Sequence, residues 1–225
     1  MSVDSIGFTQ SLDIKELKQY YRQQPKEACV ELYEDSSKKV NQIVLVRHGQ
    51  PDLSRKGWFN RKEAAAFVHA YDSVGIVPFK VNPICNEGLQ HPMIFCSSIE
   101  RAVNTSKLIF EEKYDIVTDA RFREFERKVM HFWNIKMPLG VWLSVSRGLW
   151  ILGLNDKGIE TKRKAKLRSK GNADFLIAQT EASQQVILVA HGFHNRYVMK
   201  YLKKQGWKTV RKGGSHYGAV NILAQ

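Results

Sequence analysis

Short continuous apolar runs alternate along this chain with longer segments whose apolar residues recur every three or four positions. Gln42-Ile43-Val44-Leu45-Val46 and Gln185-Val186-Ile187-Leu188-Val189 are too short for helices and rich in β-branched residues, so each predicts a strand covered on both faces. Met93-Ile94-Phe95-Cys96 predicts another strand, residues 115–118 a weaker one, and residues 219–223 a terminal edge strand. Helical periods lie between them. Asp13 as cap, Glu16 three residues on, and Leu12 packed on Leu17 open a helix with Ile14, Leu17, Tyr20 and Tyr21 on one face. Asn60-Arg61-Lys62-Glu63 is a second capping box, followed by the stripe Ala64, Phe67, Val68, Tyr71 as far as about Asp72. Ile99, Ala102, Val103, Ser106, Ile109 and Phe110 keep helical spacing after Ser97-Ser98. Residues 159–180 are helical in composition but interrupted by Gly171, and residues 196–205 predict a last helix that Gly206 stops.

Alternating strands and helices predict an α/β fold, a three-layer α/β/α sandwich with a mostly parallel central sheet. Its length suits a single domain over residues 1–225, with residues 1–40 as an N-terminal helical extension. Residues 127–184 predict a helical or irregular insertion over the active site, a cap or specificity element. Its Trp133, Trp142 and Trp150 fit a small helical core better than a site for an aromatic leaving group.

Charge adds direction. Lys and Arg total 35 against 22 Asp and Glu, a formal charge of +13 that favours anions without selecting one. The densest basic run, Lys162 to Lys170, spreads around a helix and reads as solvated surface. No nucleic-acid motif accompanies it, so no obligatory nucleic-acid partner is expected. Cys29, Cys85 and Cys96 are too few and scattered for a disulfide framework, which suits a reducing compartment. The first residues carry no secretory pattern, and residues 138–154 fall short of a bilayer span, so a cytoplasmic protein with no transmembrane segment is the expectation. Self-association is left open.

In parallel sheets ligands bind beyond the C-terminal ends of strands. Arg47-His48-Gly49, the start of the helix bearing Arg101, and His191 all follow predicted strands, so residues far apart in sequence can share a pocket. An unprotonated imidazole at His48 can form a covalent phosphohistidine. Guanidinium groups at Arg47 and Arg101 grip phosphate oxygens, and His191 is a further donor. An alkoxide leaving group also needs a carboxylic acid. Glu124 is the candidate, with Glu126 as competitor on the same side of an extended segment. His191 and His194 lack a third ligand for a metal.

Arg47-His48-Gly49, the segment from Ser97 to Thr105 with Arg101, and Ala190-His191-Gly192 together resemble, in order, the motifs of the histidine phosphatase, or phosphoglycerate mutase-like, superfamily. The resemblance runs from about Ile43 to Trp207. It implies a phosphatase that needs neither metal nor cofactor and acts on a small anionic phosphomonoester. His48 would then be the phosphorylated nucleophile, and Arg47, Arg101 and His191 would complete the phosphate pocket. Phe122-Arg123-Glu124 resembles the acid-bearing segment of some members, and Gln50 would be a further phosphate ligand. The chain departs from the family at Gln50-Pro51-Asp52, where Pro51 removes a backbone donor and Ser54 or Asn60 would have to replace a missing asparagine. It also lacks a segment common in mutases. A phosphoglycerate mutase-like phosphotransferase and a catalytically impaired phosphate-binding protein are the alternative readings.

Overall fold

The computed structural model describes residues 14–25, 29–34, 40–78, 83–85, 89, 91–110, 113–131 and 135–225. Its helices are α1 (Ile14–Gln23), α2 (Arg61–Ser73), α3 (Glu100–Phe110), α4 (Leu139–Ile151), α5 (Lys162–Gln179) and α6 (Gly192–Lys204). Its strands are β1 (Gln42–Arg47), β2 (Trp58–Phe59), β3 (Met93–Ser97), β4 (Ile116–Asp119), β5 (Met137–Pro138), β6 (Gln185–Ala190), β7 (Lys208–Lys212) and β8 (Val220–Ala224).

Period-two alternation divides the core. Val44 and Val46 of β1 point to the face covered by Tyr21 of α1 and by Ile109 and Phe110 of α3. Ile43 and Leu45 point to the other face, onto Ala173 and Leu176 of α5 and Val198 and Leu202 of α6. Each of these strand side chains is at most 1% exposed, and burying one contributes about 1.5–3 kcal/mol. The result is the expected three-layer α/β/α sandwich. The sheet order is β4-β3-β6-β1-β8-β7. Its first four strands are parallel, β8 runs antiparallel to β1, and β7 antiparallel to β8.

Several expectations are corrected. The terminal strand is not an edge: β8 lies between β1 and β7, all five of its residues buried, and the unforeseen β7 takes the edge. Its sequence Lys208-Thr209-Val210-Arg211-Lys212 carries too little apolar signal to announce a strand. Helix α5 passes through Gly171 without a break, because no neighbour contests that position and one glycine costs a helix only about 1 kcal/mol. Helix α6 starts at Gly192, directly behind His191, rather than at Arg196. Leu12, Asp13, Trp133 and the side chain of Leu17 lie outside the described residues.

The cysteines correct a further expectation. Cys29 and Cys85, 56 residues apart, form a disulfide with Cα atoms at 5.0 Å. They flank the Val30–Ile84 bridge, where Cys85 N donates to Val30 O at 3.0 Å and Val30 N to Pro83 O at 3.1 Å. Sequence spacing alone carries no trace of that proximity, and the argument for a reducing compartment loses its basis. Cys96 is free and buried.

Helix α4 packs sideways, not on the sheet. Trp142 and Leu143 meet Phe67 and Tyr71 of α2 and Val129 and Met130 of the segment before α4. Trp142 and Trp150 are fully buried, and their indole N–H groups donate to Phe59 O and Glu160 O, both at 2.7 Å. These tryptophans are therefore core, as their composition suggested. No helix among the described residues is long and apolar enough to cross a membrane.

Candidate active site

Parallel pairing of β1 with β6 sets Arg47 opposite Ala190, so the next residues, His48 and His191, leave the sheet side by side. Their ring centroids are 5.1 Å apart. His48 Nδ1 lies 2.7 Å from Gly49 O, which fixes the tautomer with hydrogen on Nδ1 and puts the ring's lone pair on Nε2. Arg101 Nε donates to that Nε2 at 3.3 Å. Burial first, then the guanidinium charge of Arg101, holds the His48 pKa down at about 3 despite the Gly49 bond. The ring is thus neutral at physiological pH.

Arg101 is in the first turn of α3 and only 1% exposed. It donates to Tyr71 O at 2.7 Å and Asp72 Oδ1 at 3.0 Å, and its guanidinium stacks 4.5 Å above the Tyr71 ring. Thr105, one turn later, donates to Arg101 O and accepts from Gly49 N at 2.8 Å, tying the helix to the nucleophile turn. Arg47 donates to Ser215 O and lies 4.2 Å above the Tyr217 ring. The two tyrosine hydroxyls are 3.3 Å apart, so each arginine rests on a ring and the rings are joined. Gly192 leaves room for this: a Cβ there would sit 3.2 Å from Arg47 Nε.

His191 is fully buried. Its Nε2 shares a hydrogen with Ser97 Oγ at 2.8 Å, and its Nδ1 has no partner. Burial, then His48 and Arg101, holds its pKa well below the usual imidazole value. His194, one turn along α6, is held down to about 3 by burial and then Arg168, and it meets Asn172 Nδ2 at 2.8 Å.

Glu124 reaches the same end of α6 from the other side. Its Oε1 accepts from Phe125 N and His194 N, both at 3.0 Å, and its Oε2 from Phe193 N at 3.1 Å. His191 supplies no side-chain cap, so Glu124 caps the helix in its place. Glu126 accepts instead from Glu160 N, on the insertion.

Arg47, His48, Arg101, Glu124 and Glu126 line a cavity of about 690 Å³ together with Glu160 and with Arg168 of α5, whereas His191, buried beside His48, does not line it. No residue of α4 lines it. The cavity also receives Arg55, Tyr71, Asp72, Arg123 and Arg127, none of which the sequence singled out for the site. Arg55, Arg123 and Arg127 sit in stretches without periodicity. Tyr71 was legible only as a core residue.

Gln50 is not brought in. Its side chain is exposed and does not line the cavity, because Gln50 O accepts from Val77 N at 2.8 Å while Pro51 bridges Ile76. That pairing also accommodates Pro51. Neither proposed substitute for the missing asparagine reaches the cavity: Asn60 caps α2, and Ser54 accepts from Lys56 N at 3.3 Å. Among the described residues no group of three or more His, Cys, Asp or Glu is placed to hold a metal.

A buried histidine beside arginines at parallel strand ends gives this α/β protein a pocket suited to an anion. A family model described as histidine phosphatase superfamily (branch 1) matches residues 85–225, and the chain belongs to that superfamily, a histidine phosphatase and hydrolase by class. The matched span includes Arg101, Glu124 and His191 and begins after Arg47 and His48, which the β1–β6 register brings to them. No curated protein matches the chain. Among solved structures, phosphoglycerate mutase from Bacillus anthracis is 15% identical with a TM-score of 0.51, covering 83% of this chain and 88% of that one. A protein described as mycobacterial hydrolase 2 is 20% identical at 0.50, with 82% of each chain covered. These likenesses concern the fold.

Proposed function

We propose that this protein hydrolyses a small phosphomonoester through a phosphohistidine at His48, without a metal. The observation that carries the reading is the His48 ring: its Nδ1–H is given to Gly49 O and its Nε2 is left neutral beside Arg101. The Nε2 lone pair, released as Arg101 Nε–H passes from it to a phosphate oxygen, attacks phosphorus as the ester P–O bond breaks, and Arg47, Arg101 and His191 hold the charge on the non-bridging oxygens. Glu124 gives its proton to the leaving alkoxide. In the second half the Glu124 carboxylate takes a proton from water, the new hydroxide attacks phosphorus, and the P–N bond breaks to release inorganic phosphate and neutral His48.

Glu124 is assigned this role over Glu126 because its three N–H bonds fix it at the start of α6, directly behind His191. The exposed position of Gln50 leaves it without a part. Incubation with a panel of sugar, nucleotide and aryl phosphates is expected to release phosphate and to trap an acid-labile phosphoprotein. Retention of either by folded His48→Ala protein would overturn the reading. Labelled phosphoglycerate returning as an isomer, with no net phosphate release, would favour phosphotransfer instead.

A further inference from the structure

Six arginines line the cavity, at positions 47, 55, 101, 123, 127 and 168. Two already have carboxylate partners: Arg101 pairs with Asp72 at 3.0 Å and Arg168 with Glu160 at 2.7 Å. Glu124 and Glu126 are held by backbone N–H groups, not by guanidinium. Arg47, Arg55, Arg123 and Arg127 therefore face the cavity with no ion pair among the described residues. Of these six arginines, phosphate at His48 would engage Arg47 and Arg101.

Arg127 is the most demanding of the remainder. Its Nε is buried without a hydrogen-bond partner, an arrangement that is costly unless an anion completes it. Burial pushes its pKa down, Glu124 and Tyr71 push it back up, and Arg55 and Arg101 oppose them. The chain around it is held by side-chain bonds. Arg147 donates to Glu126 O at 3.1 Å and Phe125 O at 2.9 Å, and Asn155 donates to Lys128 O at 2.7 Å. Arg55, an exposed side chain at the mouth, stacks 5.4 Å from the Tyr71 ring. A volume of 690 Å³ lies in the range of roughly 300–1,000 Å³ for whole small-molecule sites and exceeds the need of a phosphoryl group.

We propose that Arg127 and Arg55 form a second anion subsite, so that the substrate is a phosphomonoester whose alcohol part carries a further carboxylate or phosphate. This rests on the phosphatase reading above, and it names the substrate class of the same site. Matched esters test it: butyl phosphate, 4-phosphooxybutanoate and butane-1,4-diol bisphosphate. The protein is expected to favour at least one doubly anionic ester over butyl phosphate by about tenfold to hundredfold in kcat/KM, the effect of one or two charged hydrogen bonds. In Arg127→Met that ratio is expected to fall close to one, Arg127→Lys to keep part of it, and Arg55→Met to reduce it. The two anionic arms tell a carboxylate subsite from a phosphate subsite.

Equal rates on all three esters, or a preference that survives Arg127→Met, would overturn the subsite. Failure to hydrolyse any ester would instead count against the phosphatase reading. Calorimetry with butylphosphonate and 4-phosphonobutanoate then reads the subsite without turnover. Tighter binding of the second, lost in Arg127→Met, supports it, and equal binding overturns it.

Discussion

The wall that holds Arg47 and His48, with His191 buried beside it, and the wall that holds Glu124 and Arg127 face one cavity, yet they are fixed by different means. On the first, β-sheet register does the positioning, and the groups leave the ends of β1 and β6 within a buried core. On the second there is no regular structure between Arg123 and Met130. That segment is held by bonds from Arg147, Asn155 and Ser146, the last accepting from Met130 N at 3.0 Å. A histidine that must stay neutral and aligned sits on the part of the fold that deforms least. Glu124 and Arg127 sit on an irregular segment held by side-chain bonds from α4 and Asn155, away from the sheet.

The sharpest way to break this contrast is to remove charge from the rigid wall. Arg101→Met is expected to lower kcat/KM by about 10²–10³-fold, the scale of losing a preorganised charge at the phosphoryl group. Steady-state kinetics on an aryl phosphate measures it, and a loss under tenfold would show that Arg101 does not hold charge at the phosphoryl group. On the other wall, Glu124→Gln is expected to slow an alkyl ester by about 10²-fold and a nitrophenyl ester far less, because a good leaving group needs no proton. Glu126→Gln is expected to weaken the insertion contact by about 1 kcal/mol and leave that leaving-group dependence alone. If Glu126→Gln produced the dependence instead, the two carboxylates would exchange roles.

The same contrast decides what was legible in the sequence. The strands β1 and β6 announce themselves as apolar runs, and once they pair in parallel, the histidines after them must meet. Arg101 follows from its place behind β3 at the start of α3. Glu124 was reached from the acid that an alkoxide leaving group needs, with Glu126 as competitor, and the resemblance of its neighbours favoured it, since nothing periodic marks residues 123–130. Arg127 and Arg55 were unreadable as site residues because their positions come from side-chain bonds made by residues about 20 positions away or by folding of α2 against α3. Gln50 was misplaced for a similar reason: the Pro51–Ile76 bridge turns it outward, and no local pattern records that pairing. The β8–β7 order failed because strand position in a sheet is decided by partners rather than by propensity.

Acid should expose the rigid wall through stability. His48 and His194 have folded pKa values of about 3, and that of His191 is also lowered, against about 6.5 when unfolded. Below pH 6.5 the unfolded chain takes up protons that the folded chain refuses. Their contribution is therefore complete above pH 6.5 and lost progressively toward pH 3, by up to about 1.4 kcal/mol per pH unit for each histidine. Urea unfolding at pH 7 and pH 5 checks the sign. His194→Gln is expected to make the decline shallower, and an unchanged slope would mean that His194 does not remain neutral in the fold.

The smallest expected effect tests how the rigid wall carries its arginines. Arg47 and Arg101 each lie over a tyrosine ring, and the Tyr71–Tyr217 hydroxyl contact joins the two supports. Tyr217→Phe keeps the ring under Arg47 and removes only the 3.3 Å contact, so kcat/KM is expected to fall less than about threefold. Tyr217→Ala removes the ring as well and frees the Arg47 side chain, whose remaining bond is to Ser215 O. A cation over an exposed or partly buried ring contributes about 0.5–2 kcal/mol, so a loss of about threefold to thirtyfold is expected, mainly in KM for phosphate esters. If the phenylalanine variant lost as much as the alanine variant, the hydroxyl link rather than the ring would be what holds Arg47, and the two arginines would be positioned as a pair.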